Sequence, residues 1–206
     1  MRLIGEKVTL RDFHKKDIQK RMFWETEQTE WQLWDAPWEY EAQNNQNNFE
    51  WLVQYRNRLE RQAEDLLTAG EKTLRRGFEI ELTGGSGESI GWCNSYFLKD
   101  DFIPAPDGKL LAIGIDLPDP NTRGRGYGSQ ALTLFLKYLF DAGFQELYTQ
   151  TWSGNKPMVS LAARLGFEEC ARGMDARHVR GRNYDALTFR LKKSKFFQMD
   201  GIPGIN

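Results

Sequence analysis

Six consecutive residues, Arg123-Gly124-Arg125-Gly126-Tyr127-Gly128, carry the plainest chemical signal in the chain. Closely spaced glycines let backbone N–H groups converge on one point, and the two arginines bring positive charge to it. Just downstream, Ala131, Leu132, Leu134, Phe135, Tyr138 and Leu139 recur at helical spacing, so the loop opens a helix whose N-terminal dipole also favours an anion. Three or four charge-assisted hydrogen bonds of about 1.5–3 kcal/mol each would supply much of the ~8 kcal/mol that micromolar binding requires. The spacing therefore suits a phosphate or pyrophosphate. A flexible turn with two solvated arginines is the plainer alternative. Asp116 closes the apolar run that leads into this loop, and a carboxylate there can take a proton.

These groups need a scaffold, and the patterning supplies one. Alternation over residues 7–11 predicts a first strand, followed by a short helix over 17–24. A long helix is expected over 41–67, with Phe49, Leu52, Val53, Leu59, Leu66 and Leu67 at roughly helical spacing and Gly70 beyond its end. Residues 77–82 and 89–98 read as strands joined by a glycine-rich turn. The run 110–117 is apolar enough for a central strand, and Pro118-Asp119-Pro120 ends it. After the glycine-loop helix come a strand over 146–152, a helix over 157–165 and a hairpin of 175–179 with 184–191 about Arg180-Gly181-Arg182-Asn183. The expected fold is mixed α/β (α+β): early antiparallel hairpins, then a β-α-β unit.

Composition narrows the function classes. With 206 residues, 40% hydrophobic and 28% charged, the chain suits one domain over 1–195 with a tail over 196–206. That tail is apolar without periodicity, which leaves two readings: packing back on the domain, or onto a second copy in a homodimer. A net charge of −1 gives no global attraction for nucleic acid or anionic membranes, and the late cluster from Arg172 to Lys195 alternates over two faces of a hairpin, as a solvated surface would. No apolar run is long enough to span a bilayer, and the charged start, with Arg2, Glu6 and Lys7, is unlike a signal peptide; a cytoplasmic protein is expected. Two cysteines, Cys93 and Cys170, sit in apolar pattern and read as free buried thiols; with two histidines in the chain, no metal is expected.

The ligand of the loop follows from which motifs are absent. A P-loop needs Gly-Lys followed by Ser or Thr, whereas Gly128-Ser129 has no lysine; a Rossmann fingerprint needs its glycines directly after the strand. The pattern present is R-x-x-G-x-G, at Arg123, Gly126 and Gly128. With it, Asn155 in T-W-S-G-N-K-P-M, the Leu165-Gly166-Phe167 triplet and the closing Gly181-Arg182-Asn183-Tyr184-Asp185 hairpin fall in matching order. Over residues 90–191 the chain resembles the GNAT superfamily of acyl-CoA-dependent N-acetyltransferases, and its phrases are nearest the RimJ/RimL-like branch. The resemblance implies a central mixed, mostly antiparallel sheet of about six or seven strands flanked by helices, with acetyl-CoA as cofactor. It implies that Arg123, Gly124, Arg125, Gly126, Tyr127, Gly128 and Ser129 hold the pyrophosphate. The strands 110–117 and 146–152 would part around the pantetheine arm, backbone N–H groups near Ile115 and Leu117 would pair with it, one of them stabilising an oxyanion, and Asn155 would assist. As a helix cap or turn residue, Asn155 has an ordinary alternative.

Many relatives place a glutamate where this chain has Ala112, so the base must come from elsewhere. Period two puts Ala112, Gly114 and Asp116 on one strand face. The stretch Ile90 to Leu98 and the triplet Gly114-Ile115-Asp116 also resemble aminoglycoside 6'-N-acetyltransferases, in which the aspartate of such a triplet acts as base. Asp116 is thus the expected catalytic residue, against the alternative that it merely ends a strand. The tyrosine that many relatives use as general acid falls at Ala162. Finally, residues 22–55 hold no Lys or Arg but seven acids and five of the seven tryptophans. Glu30, Trp31, Trp34, Asp35 and Trp38 are expected to face a cationic acceptor, unless they simply form a helix pair with a solvated acidic rim. The implied reaction is acetyl transfer to a primary amine of an aminoglycoside- or polyamine-like molecule. A protein N-terminus, or non-catalytic acyl-CoA binding, are the other readings.

Overall fold

The structure, a computed structural model, describes residues 1–44 and 48–199. Its strands are β1 (Arg2–Ile4), β2 (Val8–Arg11), β3 (Gly77–Leu82), β4 (Ser89–Leu98), β5 (Leu110–Asp116), β6 (Glu146–Trp152), β7 (Glu168–Val179) and β8 (Arg182–Lys192). The helices are α1 (Ile18–Thr26), α2 (Pro37–Asn44), α3 (Asn48–Thr68), α4 (Tyr127–Asp141), α5 (Lys156–Arg164) and α6 (Lys193–Gln198). All eight strands form one sheet in the order β1-β2-β3-β4-β5-β6-β8-β7. Every neighbouring pair is antiparallel except β5 and β6. The sheet thus has one or two strands more than expected, because β1 pairs with β2 at one edge.

Strand alternation divides the protein into two layers. Leu111 and Ile113 of β5 and Cys93 of β4 point into the main core, which α4 fills with Ala131, Leu132, Phe135, Leu136, Leu139 and Phe140. Ala112 and Trp92, on the opposite sheet face, join separate clusters, the latter with Trp24 and Trp31. Helices α1 and α3 cover that face around Phe13, Ile18, Leu59 and Ala63. Buried ion pairs fix α1 and the turn before it: Arg11 donates to Asp17 at 2.6 Å and Glu81 at 2.7 Å, and Arg21 reaches Glu79 at 2.7 Å with its guanidinium 3.6 Å from the Trp92 ring. Removing one partner of such a pair strands a buried charge, at a cost of about 3–5 kcal/mol.

Several expectations are corrected. The helix expected over 41–67 is helical at all of its described residues, in α2, which begins earlier at Pro37, and in α3; its residues 45–47 lie outside the described residues. Phe49 and Leu67 are 74% and 82% exposed, since α3 packs only through its middle, at Leu59, Ala63 and Leu66. The closing hairpin is longer than expected at both ends, and its two-residue turn places Arg180 and Gly181 at φ 50° and 75°, as the type I′ geometry requires. Cys93 is buried, but Cys170 is exposed, because a register shift between Glu169 and Ala171 leaves it out of the ladder of an edge strand. The described part of the tail packs back: Phe196 is buried against Phe140, ring centroids 5.2 Å apart, while residues 200–206 lie outside the described residues. Among the described residues no helix is long and apolar enough to cross a membrane, and no group of three or more His, Cys, Asp or Glu could hold a metal.

Candidate active site

Strands β5 and β6 pair only at Ala112 with Tyr148 and Ile113 with Thr149, then part. Thr149 Oγ1 donates to the Ile113 carbonyl at 2.9 Å at the fork, satisfying a group the ladder abandons. Beyond it opens a cavity of about 470 Å³ lined by Gly114 to Leu117 on one side and Thr149 to Thr151 on the other, with Met158 and Leu161 of α5 and the glycine loop at its end. Gly124 and Gly126 take φ 72° and 83°, a region that costs side-chain-bearing residues about 1–2 kcal/mol. Among the described residues, the backbone N–H groups of Gly124, Arg125 and Gly126 have no protein acceptor, so three donors stand free at the start of α4.

Each expected cofactor residue now has a place. Ile115, Leu117, Gly124, Gly126, Gly128 and Ser129 line the cavity, whereas the exposed Arg125 and the half-buried Tyr127 flank it. Arg123 lines it too, but its guanidinium is committed to protein: it donates to the Leu117 carbonyl at 2.8 Å and the Pro118 carbonyl at 3.0 Å, and lies 2.7 Å from Glu30. Asn155 caps α5 by accepting from Met158 N–H at 3.1 Å, and its amide donates to the Trp34 carbonyl at 2.8 Å. Ala162 is buried in the main core, and the α5 residues that line the cavity, Pro157, Met158, Leu161 and Arg164, offer no hydroxyl.

A second, larger cavity of about 1050 Å³ lies beneath α3. Trp31, Asp35 and Asp116 border both cavities, so the Asp116 carboxylate stands on the seam between them. Burial pushes its pKa well above the usual carboxylate range; the charges of Asp35 and Glu25 push the same way, while Arg21 and Arg123 oppose. Glu25 is lifted to about 7, chiefly by burial. Asp35 is reached by solvent yet ringed by protein, and that crowding, with Glu39 beside it, lifts it to about 6.

The expected acceptor residues divide. Trp31 and Asp35 reach the second cavity, but Trp31 is mostly core, edge-on to Trp92 at 5.3 Å with its Nε1 donating to the Trp24 carbonyl at 2.9 Å. Trp34, 38% exposed, faces the first cavity, and its Nε1 donates to Glu30 at 2.6 Å. Trp38 borders neither, packing on Trp152 with the Arg177 guanidinium 4.6 Å above its ring. Glu30 turns to Arg123 instead of the second cavity. Reading by residue type missed Glu25, Glu39, Tyr40 and Tyr55 of that cavity, although all four belong to the same lysine- and arginine-free segment.

A family model described as an acetyltransferase (GNAT) domain matches residues 7–168. The chain is a member of the GNAT acetyltransferase family. RimL, a ribosomal L7/L12 alpha-N-protein acetyltransferase solved in complex with coenzyme A, is similar to this GNAT chain at a TM-score of 0.68 and 15% identity, over 93% of this chain and 98% of that one. The ribosomal-protein-S5-alanine acetyltransferase of Vibrio fischeri is similar at 0.67 and 12%, over 95% and 98%. MccE, a microcin C7 self-immunity acetyltransferase solved with acetyl-CoA and AMP, is similar at 0.62 and 17%, over 91% and 93%. At such identities the likeness concerns the fold. In sequence, the SPbeta prophage-derived uncharacterized N-acetyltransferase YokL of Bacillus subtilis (strain 168) is 25% identical over 75 residues, so the match spans 36% of this chain and less than half, 42%, of that relative.

Proposed function

We propose that this protein transfers an acetyl group from acetyl-CoA to a primary amine on a small cationic molecule, of aminoglycoside- or polyamine-like charge, with Asp116 as general base. The observation that carries the reading is the seam: one carboxylate borders both the cavity that ends at the glycine loop and the cavity that Glu25, Asp35 and Glu39 line together with Arg21, Arg58, Arg61, Arg75 and Arg76.

The residues present fit the cofactor. The free N–H donors of Gly124, Arg125 and Gly126 suit a pyrophosphate, with the exposed Arg125 guanidinium close by, and Ile115, Leu117, Met158 and Leu161 give the parted strands an apolar wall for a pantetheine arm. When bound, acetyl-CoA supplies an activated thioester. The chain's own residues do the rest. Carboxylates at Asp35, Glu39 and Glu25 draw in an ammonium. A lysine-like amine with pKa about 10.4 must shed its proton before attack, at a cost of about 4–5 kcal/mol at pH 7. Asp116 takes that proton, and its raised pKa narrows the mismatch between the two groups. As the C–N bond forms and the C–S bond breaks the nitrogen sheds its second proton, and with no hydroxyl offered by α5 that proton passes through water to the departing thiolate, whose pKa lies near 8.5.

A thiol-release assay with acetyl-CoA and a panel of amines tests this. Turnover is expected to be highest with acceptors carrying two or more positive charges. A preference for N-terminal peptides would replace the acceptor with a protein, and tight coenzyme A binding without release for any amine would replace catalysis with a binding role.

A further inference from the structure

The glycine loop is braced from the far edge of the sheet by a residue that no part of the loop motif includes. Lys7 precedes β2, and its backbone is held on both sides: its N–H donates to Gln130 Oε1 at 2.6 Å, and its carbonyl accepts from Thr83 N–H at 3.0 Å. Val8 N–H donates to the same Gln130 oxygen at 2.9 Å, and Gln130 is buried in the first turn of α4. The Lys7 backbone is thus anchored to the helix the loop opens. Its ammonium lies 3.4 Å from the Arg125 carbonyl and 3.2 Å from where a Cβ on Gly126 would stand. Among the described residues it has no carboxylate partner.

Two consequences follow from elementary geometry and charge. In a trans peptide the carbonyl and the following N–H point in opposite directions. Among the described residues there are no cis peptides, so an ammonium on the Arg125 carbonyl turns the Gly126 N–H away from Lys7. Gly126 lines the cavity and Lys7 does not. The unpaired ammonium also stands at the positive end of α4, beside a loop that already carries two arginines. That arrangement is unfavourable alone and is relieved when an anion joins it.

We propose that Lys7 is a positioning residue for the diphosphate of coenzyme A: it holds the 125–126 peptide so that the Gly126 N–H faces the cavity, and it adds a positive charge to the loop. This rests on the reading that the pyrophosphate of acetyl-CoA occupies the loop. The test compares wild type, Lys7→Gln and Lys7→Arg by calorimetry with coenzyme A on the free protein, and by kinetics with acetyl-CoA and with S-acetylpantetheine, which lacks the diphosphate. Lys7→Gln should weaken coenzyme A about tenfold, as loss of one charge-assisted contact at a solvent-reached site does. KM for acetyl-CoA should rise in parallel with kcat held within about twofold, and Lys7→Arg should recover most of the affinity. S-acetylpantetheine kinetics should shift less than about twofold. Unchanged coenzyme A affinity in Lys7→Gln, or an equal loss with S-acetylpantetheine, overturns the proposal. If wild type itself binds coenzyme A no better than pantetheine, it is the loop reading that fails, independently of Lys7.

Discussion

Replacing Asp116 with asparagine keeps the shape of the side chain and removes its ability to accept a proton. The loss can be sized from the site. The cavities, the glycine loop and the acid wall stay in place, so the contribution of holding the two reactants in line, about 7–11 kcal/mol, survives. Lost is the general-base share, about 10²- to 10⁴-fold, and the lower end applies here because three further carboxylates still attract the amine. A fall in kcat of about 10²-fold at pH 7, or ~2.7 kcal/mol, is expected at saturating amine. The variant then depends on amine that has already lost its proton. That fraction grows about tenfold per pH unit below pKa ~10.4, so the gap to wild type should close by pH 9. Coenzyme A affinity should hold, and because Asp35 and Glu25 disfavour the Asp116 charge, the variant should melt no earlier than wild type at pH 7. Thiol release across pH 6–9, with calorimetry and thermal melts, reads all three. A loss under about threefold at pH 7, or a deficit that is the same at pH 9, would refute the base assignment.

Gly126→Val forces a β-branched side chain to φ 83° and crowds the Lys7 ammonium; acetyl-CoA binding should vanish in calorimetry while circular dichroism stays native, and equal affinity would remove the loop from the pyrophosphate site. Asp35→Asn should raise KM for a dicationic acceptor several-fold without changing KM for acetyl-CoA, and added salt should mimic it; a best acceptor that is a neutral or acidic N-terminal peptide with salt-independent KM would sink the cation reading. Glu25, lifted from 4.5 to about 7, keeps in the folded state a proton that the unfolded chain has released, so its contribution to stability falls as pH rises through that window. Wild type should therefore gain more in melting temperature than Glu25→Gln on going from pH 7.5 to 5.5, and the variant should be the more stable at pH 7.5; parallel melting curves would argue against the shift.

The central unit was legible because its signals are local. An apolar run ended by Pro118-Asp119-Pro120 marked β5, Gly124 and Gly126 marked a turn that needs positive φ, and Asn155 with Pro157 marked the start of α5. Signals that depend on tertiary packing were not legible. The three residues of β1 alternate too briefly to register, and only pairing with β2 makes them a strand. Phe49 and Val53 lie four apart on one helical face, but Leu59 stands about 120° from Val53, and burial goes to Leu59, where α3 meets Phe13 and Ile18. Cys170 follows an apolar phenylalanine-containing stretch in sequence, yet a bulge decides its exposure.

The acceptor segment shows the same division within one stretch of chain. Its lack of lysine and arginine was readable, and its acids Glu25, Asp35 and Glu39 border one cavity with Asp65, Glu79, Asp116 and five arginines from outside the segment. Which acids and tryptophans face it was not, because a wall must also be held in place. The Trp34 carbonyl accepts from Trp152 and Asn155 at 2.8 Å each, Arg180 donates to the Leu33 carbonyl at 3.0 Å, and Glu30 meets Arg123. These contacts tie the residue 29–38 segment to β6, α5, the closing hairpin and the glycine loop, so Glu30 and Trp38 serve as fastenings while their neighbours face the cavity. Such fastening holds together acids whose burial and proximity raise Asp35 to about 6, Glu25 to about 7 and Asp116 well above the usual carboxylate range. On the proposed reading of the acceptor, the contacts that fasten this segment also keep its acids where a positively charged group would meet them, so that binding such a group offsets the cost of holding them together.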